Sequence, residues 1–381
     1  MNRRQLLTAG AVALTGLCSP RKGATEHARN RKGRGTIPLI HTTDLYHPPQ
    51  DPDDHFDLAT IASLEEFDLK GVILDPTSQY LNPSSDSSDI HRDPGFAPVS
   101  QMAYLLRRDI PVAAGPQDPL KHAHDDISDR PREDQAGVEL LIKLLEQSVT
   151  KVNISAVGSC RVLTAAFNRN PGLLRAKTES VLLNAGSTGG TKREWNVRLD
   201  PEAYKGLWQS GLPIRWYPCA TDKGAFDQDH ERGTHWRTSH ETLLQGVSTS
   251  LRAWFAYALA ASDRKDIIGV LSEAPPQPAW SAFLAQTRNL WSTASLVMAA
   301  GRVLARTAMG WRFVANATPI MEEVWPWRLD AVDATVNDRA EVTWRNVEGN
   351  GNALLFGRKQ GKEFGDAMAE ALNALLKSFP G

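Results

Sequence analysis

The sequence predicts an α/β fold: a single large domain on a mostly parallel, open sheet with helices on both faces, then a helical C-terminal half with a terminal hairpin. Three observations carry that expectation. Short apolar runs alternate with amphipathic segments over residues 36–217, as in strands joined by crossover helices. No fixed-period repeat recurs, which argues against a solenoid or propeller. No linker-like stretch interrupts residues 36–381.

Residues 36–42 (TIPLIHT) are the first strand-like run, and residues 55–66 set Phe56, Leu58, Ile61, Ala62 and Leu64 at helical spacing. Residues 71–74 are the next apolar run; 98–107 read as a helix and 110–114 as a strand. Residues 136–147 are amphipathic, with Leu140, Leu141, Leu144 and Leu145 on one side. Strands at 152–157, 180–183 and 213–217 alternate with helices at 162–168 and 201–210, the last opened by the cap Asp200 and Pro201. Further on, 242–261 and 291–306 read as long helices and 362–378 as a closing helix. Residues 341–344 and 353–357 read as a hairpin around Gly349-Asn350-Gly351.

Hydrophobic residues at 41% and charged residues at 23% are ordinary globular usage, which excludes a disordered or collagen-like chain. A net charge of −1 argues against nucleic acid as a partner. Residues 1–35 nevertheless carry eight Lys/Arg against the single acid Glu26, leaving an acidic body behind a basic leader. Arg3-Arg4 ahead of the apolar residues 6–18 has the build of a signal peptide, too short for a bilayer span. The paired arginines resemble a twin-arginine signal, which implies export to the periplasm or beyond. Residues 1–18 are therefore expected to be a signal peptide, 19–35 a basic tether and 36–381 the folded domain. No other stretch reaches membrane-spanning length. Cys160 and Cys219 allow one bridge and no disulfide framework. A homo-oligomer is left open.

The chemistry concentrates in two segments. Asp44 and then Asp51-Pro52-Asp53-Asp54-His55-Phe56-Asp57 stand where the first strand hands over to the first helix, the end of an open sheet that binds ligands. Carboxylates so crowded need a cation or strong hydrogen bonds, and Ca2+ is the simplest oxygen-liganded choice. The same residues are also good turn and cap formers. Later, Gly189-Gly190 leads to Glu194-Trp195-Asn196 and Asp200-Pro201-Glu202-Ala203. A carboxylate and an amide there suit the adjacent hydroxyls of a sugar, or equally loop capping.

In order and spacing these segments resemble the inosine–uridine-preferring nucleoside hydrolase family: an Asp-rich loop with a consecutive pair, then Gly-rich, Glu-aromatic-Asn and Asp-Pro-Glu-Ala stretches. The resemblance extends over residues 36–227 and implies a nucleoside hydrolase-like fold. It implies hydrolysis of a nucleoside's N-glycosidic bond by a metal-bound water, with Asp44 as base. Asp44, Asp54 and the main-chain oxygen of Val157 would ligate calcium. Asp53, Glu194 and Asn196 would hold the ribose, and Trp291 would stack on the base. The small-molecule partner is then a nucleoside or sugar.

The chain departs from the family pattern in specific places. Residues 45–50 lengthen the aspartate loop, so Asp51 competes with Asp44 as first ligand. Asp75 stands nearest to the family's asparagine after the second strand. Gly158-Ser159-Cys160-Arg161 replaces its Thr-Asn, and Ser292 stands where it places a last acidic ligand. The alternative function is thus an exported, non-catalytic nucleoside- or sugar-binding relative on the same fold. His55 and His240 are candidates for leaving-group acid. His230, His235 and His240 read as a mobile polar loop. Trp254, Trp280, Trp311, Trp325 and Trp327 read as packing residues.

Overall fold

The computed structural model describes residues 37–381 except 89, 190–192, 260–263 and 316–320. The expected signal peptide and tether lie outside the described residues. The chain divides after Gly35, and the larger unit is residues 36–381.

The first part of this unit alternates regularly: β1 (Ile37–Thr43), α1 (Asp53–Ser63), β2 (Phe67–Leu74), the short α2 (Ser78–Leu81), α3 (Phe96–Leu106), β3 (Val112–Ala114) and α4 (Arg132–Gln147). Next come β4 (Val152–Ala156), α5 (Arg161–Arg169), α6 (Pro171–Lys177), β5 (Thr178–Leu183), α7 (Trp195–Leu199), α8 (Pro201–Gln209) and β6 (Ile214–Trp216). The alternation then loosens into β7 (Trp236–Ser239), α9 (His240–Leu244), α10 (Thr249–Leu259), α11 (Gln277–Leu284), β8 (Thr287–Leu290) and α12 (Thr293–Ala299). The chain ends with β9 (Arg302–Thr307), β10 (Gly310–Ala315), β11 (Glu323–Val324), β12 (Trp327–Val336), β13 (Val342–Asn346), β14 (Ala353–Arg358) and α13 (Phe364–Lys377).

The main sheet runs β13-β12-β14-β6-β5-β4-β1-β2-β3. From β14 to β3 every neighbouring pair is parallel; β12 alone runs against its neighbours. Consecutive strand residues point to opposite faces, and the core divides accordingly. Leu39, Leu74, Leu182 and Phe356 join one apolar cluster with α1, α3, α10, α12 and α13. Ile40, Ile73, Leu183 and Leu355 join the other with α4, α5 and α8. Both faces are covered, which is why these strands read as continuous apolar runs.

The C-terminal half corrects the sequence reading. Residues 291–306 are not one helix: α12 stops at Ala299, Gly301 takes a φ of 73°, and β9 follows. Residues 242–261 break at Gly246, φ 74°, between α9 and α10. Left-handed φ suits glycine and ends a helix. The expected hairpin strands exist as β13 and β14, but each pairs with β12 rather than with the other. Cys160 and Cys219 are both buried free thiols, so the bridge is absent. Among the described residues no helix is long and apolar enough to cross a membrane.

Candidate active site

The chain moves outward from β1 through β2 to β3, then returns to β4 on the other side of β1 and continues through β5 to β6. The strand order therefore reverses between β1 and β4, where an open α/β sheet leaves a crevice beyond its carboxyl ends. The two strands run in register from Leu39↔Asn153 to Thr42↔Ala156, and the Val157 N–H donates to the Thr42 carbonyl at 3.0 Å. A cavity of about 760 Å³ opens at this point, within the usual range for small-molecule sites. Asp44, Asp53, Asp54, Val157, Glu194, Asn196 and Trp291 all stand on its wall.

The long loop after β1 is anchored, not solvated. Leu45 and Tyr46 are buried, and the Tyr46 hydroxyl accepts the Thr77 N–H at 2.7 Å. Asp51 also stands on the wall and is held by Arg288 in an ion pair, while its charge still acts on Asp53, Asp54 and Asp44. Asp53 and Asp54 open α1 without capping it: Pro52 holds the cap position and no side chain bonds there. Their place in the first turn suits the helix dipole. Thr43 Oγ1 donates to Asp54 Oδ1 at 2.7 Å.

The acids crowd one another. Burial raises the Asp44 carboxyl well above its ordinary range, and the charges of Asp54 and Asp75 add to this. Asp53 and Asp54 are raised by burial and then by neighbouring aspartates, with the Thr43 hydroxyl opposing the shift at Asp54. Asp57, one turn further along α1, is 1% exposed. Its carboxyl is pushed up to about 7 by burial, against the hydrogen bond from Ser292. Ser292 thus faces an acid across the cavity wall instead of supplying one: its hydroxyl donates to Asp57 Oδ2. Asp57 Oδ1 has no partner.

Asp75 is engaged elsewhere. The Ser159 hydroxyl donates to its two oxygens at 2.9 and 2.7 Å, and the Ser159 N–H donates as well. Gly158 allows this turn. Its φ is 91°, and a Cβ there would stand 2.6 Å from Asp75 Oδ2 and 3.3 Å from Asp44 Oδ1.

Glu194 caps α7, accepting the Asn196 N–H at 3.0 Å, while its other oxygen accepts the Gly186 N–H at 2.9 Å. The Asn196 amide donates to the Asn184 carbonyl at 3.0 Å. Asn184 follows β5, also lines the cavity, and keeps a buried Oδ1 with no partner. A polar residue closing the apolar run Val181-Leu182-Leu183 was a readable cue. Asp57 belongs to the acid segment visible in the sequence, but its contact with Ser292 and the place of Phe226 beside Trp291 carried no such signal, since these neighbours are distant in sequence.

Trp291 is held by its indole N–H, which donates to the Ala225 carbonyl at 3.0 Å. Phe226 lies 5.8 Å from it, ring centre to ring centre, and is 66% exposed on the cavity wall. The expected mobile histidine loop is corrected: His235 and His240 are buried. His235 packs on Trp291, and His240 bonds to the Phe283 carbonyl. His55 and His240 do not serve the cavity as acids. Burial lowers them to about 3 and about 4, and neither is on its wall; among the described residues no histidine is.

Among the described residues no three His, Cys, Asp or Glu side chains are already gathered as a metal cage. The donor set nevertheless fits a hard cation: carboxylate and amide oxygens, two of them buried without a donor.

Comparison with known proteins identifies a family. The profile of the family described as inosine-uridine preferring nucleoside hydrolase matches residues 52–290. A pyrimidine-specific ribonucleoside hydrolase of Enterobacter is 31% identical over 199 residues, 47% of this chain and 58% of its own. One from Salmonella arizonae is 28% identical over the same shares. The chain therefore spans well under two thirds of the length of these curated relatives. A solved inosine-uridine preferring nucleoside hydrolase from Bacillus anthracis aligns at 15% identity and a TM-score of 0.49, over 90% of this chain and all of its own.

Proposed function

Because this chain belongs to the inosine-uridine preferring nucleoside hydrolase family, whose profile spans more than half of it, we propose that it hydrolyses the N-glycosidic bond of ribonucleosides at this cavity. The observation that carries the reading is the gathering of Asp44, Asp53 and Asp54 on the cavity wall, beside the strand-order reversal. Members of the family typically depend on a metal, and we assign calcium here. When bound it would supply a Lewis acid that makes a coordinated water a nucleophile near neutral pH.

Asp44, Asp54 and the main-chain oxygen of Val157 would hold the ion. Asp44 is the base: standing beside the ion's place on the wall, it is positioned to accept the proton of the attacking water. Asp53 accepts hydrogen bonds from the ribose hydroxyls. Glu194 fixes the turn that presents Asn196, whose amide and that of Asn184 face the sugar. Trp291 and Phe226 form the apolar wall for the base. Bond breaking at the anomeric carbon leaves the electron pair on the base nitrogen. That nitrogen takes up a proton as it departs, and no histidine on the described wall supplies it.

The relatives' specificity makes pyrimidine ribonucleosides the first substrates to try. Export through the twin-arginine-like leader remains part of the proposal. The test is release of reducing sugar from a ribonucleoside panel with calcium, with Asp54→Ala beside the wild type. Calcium-dependent release abolished by Asp54→Ala is expected. Silence across the panel with nucleoside binding retained by calorimetry would replace this reading with the non-catalytic binding relative, which Ser292 favours.

A further inference from the structure

Resting on the reading of the cavity as a cation site, we infer that Asp57 is a cation ligand, bringing from the second turn of α1 the charged oxygen that Ser292 does not offer.

Asp57 is almost wholly buried, yet only one of its carboxylate oxygens has a donor, the Ser292 hydroxyl. The other, Oδ1, has none. A buried carboxylate oxygen left unpaired is costly, and an apolar side chain or an amide would fill the space at lower cost. Its charged neighbours make the cost larger. Asp44 and Asp54 both repel it, and no basic side chain is among the groups acting on it. The position follows from helix geometry. Asp57 lies three residues after Asp54 and four after Asp53, so all three leave α1 on one face. Asp53, Asp54 and Ser292 line the cavity, and Asp57 sits directly behind that wall, against the Ser292 hydroxyl.

The Ser292 hydroxyl does more than fill space. By donating to Oδ2 it fixes the carboxylate's rotation and leaves Oδ1 to face a third partner. A hard cation drawing in Asp44, Asp54 and Asp57 would neutralise the crowding and use the unpaired oxygen. Moving the acid from α12 to α1 keeps the charge at the same contact, which links residues far apart in sequence.

The experiment is calcium titration of the metal-stripped chain by calorimetry, with terbium luminescence as a second readout through the nearby Trp291. The variants are Asp57→Asn, Asp54→Asn and the exchange Asp57→Asn with Ser292→Asp. Asp57→Asn should weaken calcium at least about tenfold, the lower end of what even groups one step from a metal contribute. The exchange should recover most of the loss, because it returns the carboxylate across the same hydrogen bond. Unchanged affinity in Asp57→Asn beside a clear loss in Asp54→Asn would overturn the assignment and leave the proposed function standing. Weakening that the exchange does not recover would assign Asp57 to packing and also overturn it. A wild-type chain that binds neither calcium nor terbium would remove the cation site itself, a separate failure visible before any variant is compared.

Discussion

Arg161→Met should be the most damaging single change outside the cavity wall. Arg161 has no exposure, and its Nε donates to Asp200 Oδ2 at 3.0 Å inside the protein. Nη1 donates to the carbonyls of Pro76, Pro116 and Gln117, each at 2.9 Å, and Nη2 to Leu199 at 3.2 Å. One side chain thus ties the loops after β2 and β3 to the start of α8. Methionine keeps much of the volume and removes every donor. Breaking a buried ion pair from one side costs about 3–5 kcal/mol, because the remaining charge stays buried. Asp200 keeps the amides of Leu120 at 2.7 Å and Ala203 at 2.9 Å, which offsets part of this. The orphaned carbonyls act in the opposite direction, at about 1 kcal/mol each where water cannot reach them. A net loss of about 4 kcal/mol follows, a fall in melting midpoint of roughly 6 °C for a unit of this size. Urea and thermal melts of the metal-free chain measure it. Asp200→Asn should cost less, since the amide still caps α8. A midpoint within about 2 °C of wild type for Arg161→Met would refute the reasoning.

Three further outcomes follow from the same geometry. In the metal-free chain the carboxyls of Asp44, Asp53, Asp54 and Asp57 are raised, so the folded state holds protons that the unfolded state has released. The stability these carboxyls contribute is therefore present at acid pH and lost as pH rises through about 7, where Asp57 is half ionised. Buried His41, His55 and His240, held neutral, act in the opposite sense. Urea midpoints of wild type against Asp57→Asn in chelator isolate the carboxylate part, and the wild type should lose stability relative to that variant as pH rises. Phe226→Ala should raise KM for a nucleoside about tenfold with little change in kcat, because stacking on a base contributes about 1–3 kcal/mol; steady-state kinetics decide it. Glu194→Gln should cost roughly 1 kcal/mol of stability, since it exchanges a charged cap on α7 for a neutral one, and a melt is sufficient to see it.

The parallel sheet was legible because its central strands β1, β2, β4 and β5 are buried on both faces and crossover helices such as α4 have one apolar side. β4 and α5 show the contrast plainly: VNISA followed by RVLTAAFNR changes period within a few residues. The cap Asp200 with Pro201 marked α8 for the same local reason, as its side chain accepts the Ala203 N–H. Past β6 the local signals conflict. Residues 291–306 are apolar enough for one helix, and only the conformation of Gly301 separates α12 from β9. β12 lies between β13 and β14, and pairing between strands distant in sequence leaves no mark in either one. The site divides in the same way. The aspartate loop and Glu194-Trp195-Asn196 were visible as clusters, whereas the contact of Ser292 with Asp57 joins residues 235 positions apart. The pairing of Asp51 with Arg288 was hidden for the same reason. Glu194 performs the capping role that its sequence context also allowed.

The central claim is cleavage of a ribonucleoside at the Asp44–Asp54 cavity. Its most direct test is ribose released from uridine by the chelator-stripped chain, before and after calcium is returned, in the wild type and in Asp44→Asn. No release is expected without calcium, release on its return, and loss of that release in Asp44→Asn. Release that persists in chelator, or that survives Asp44→Asn unchanged, would contradict it.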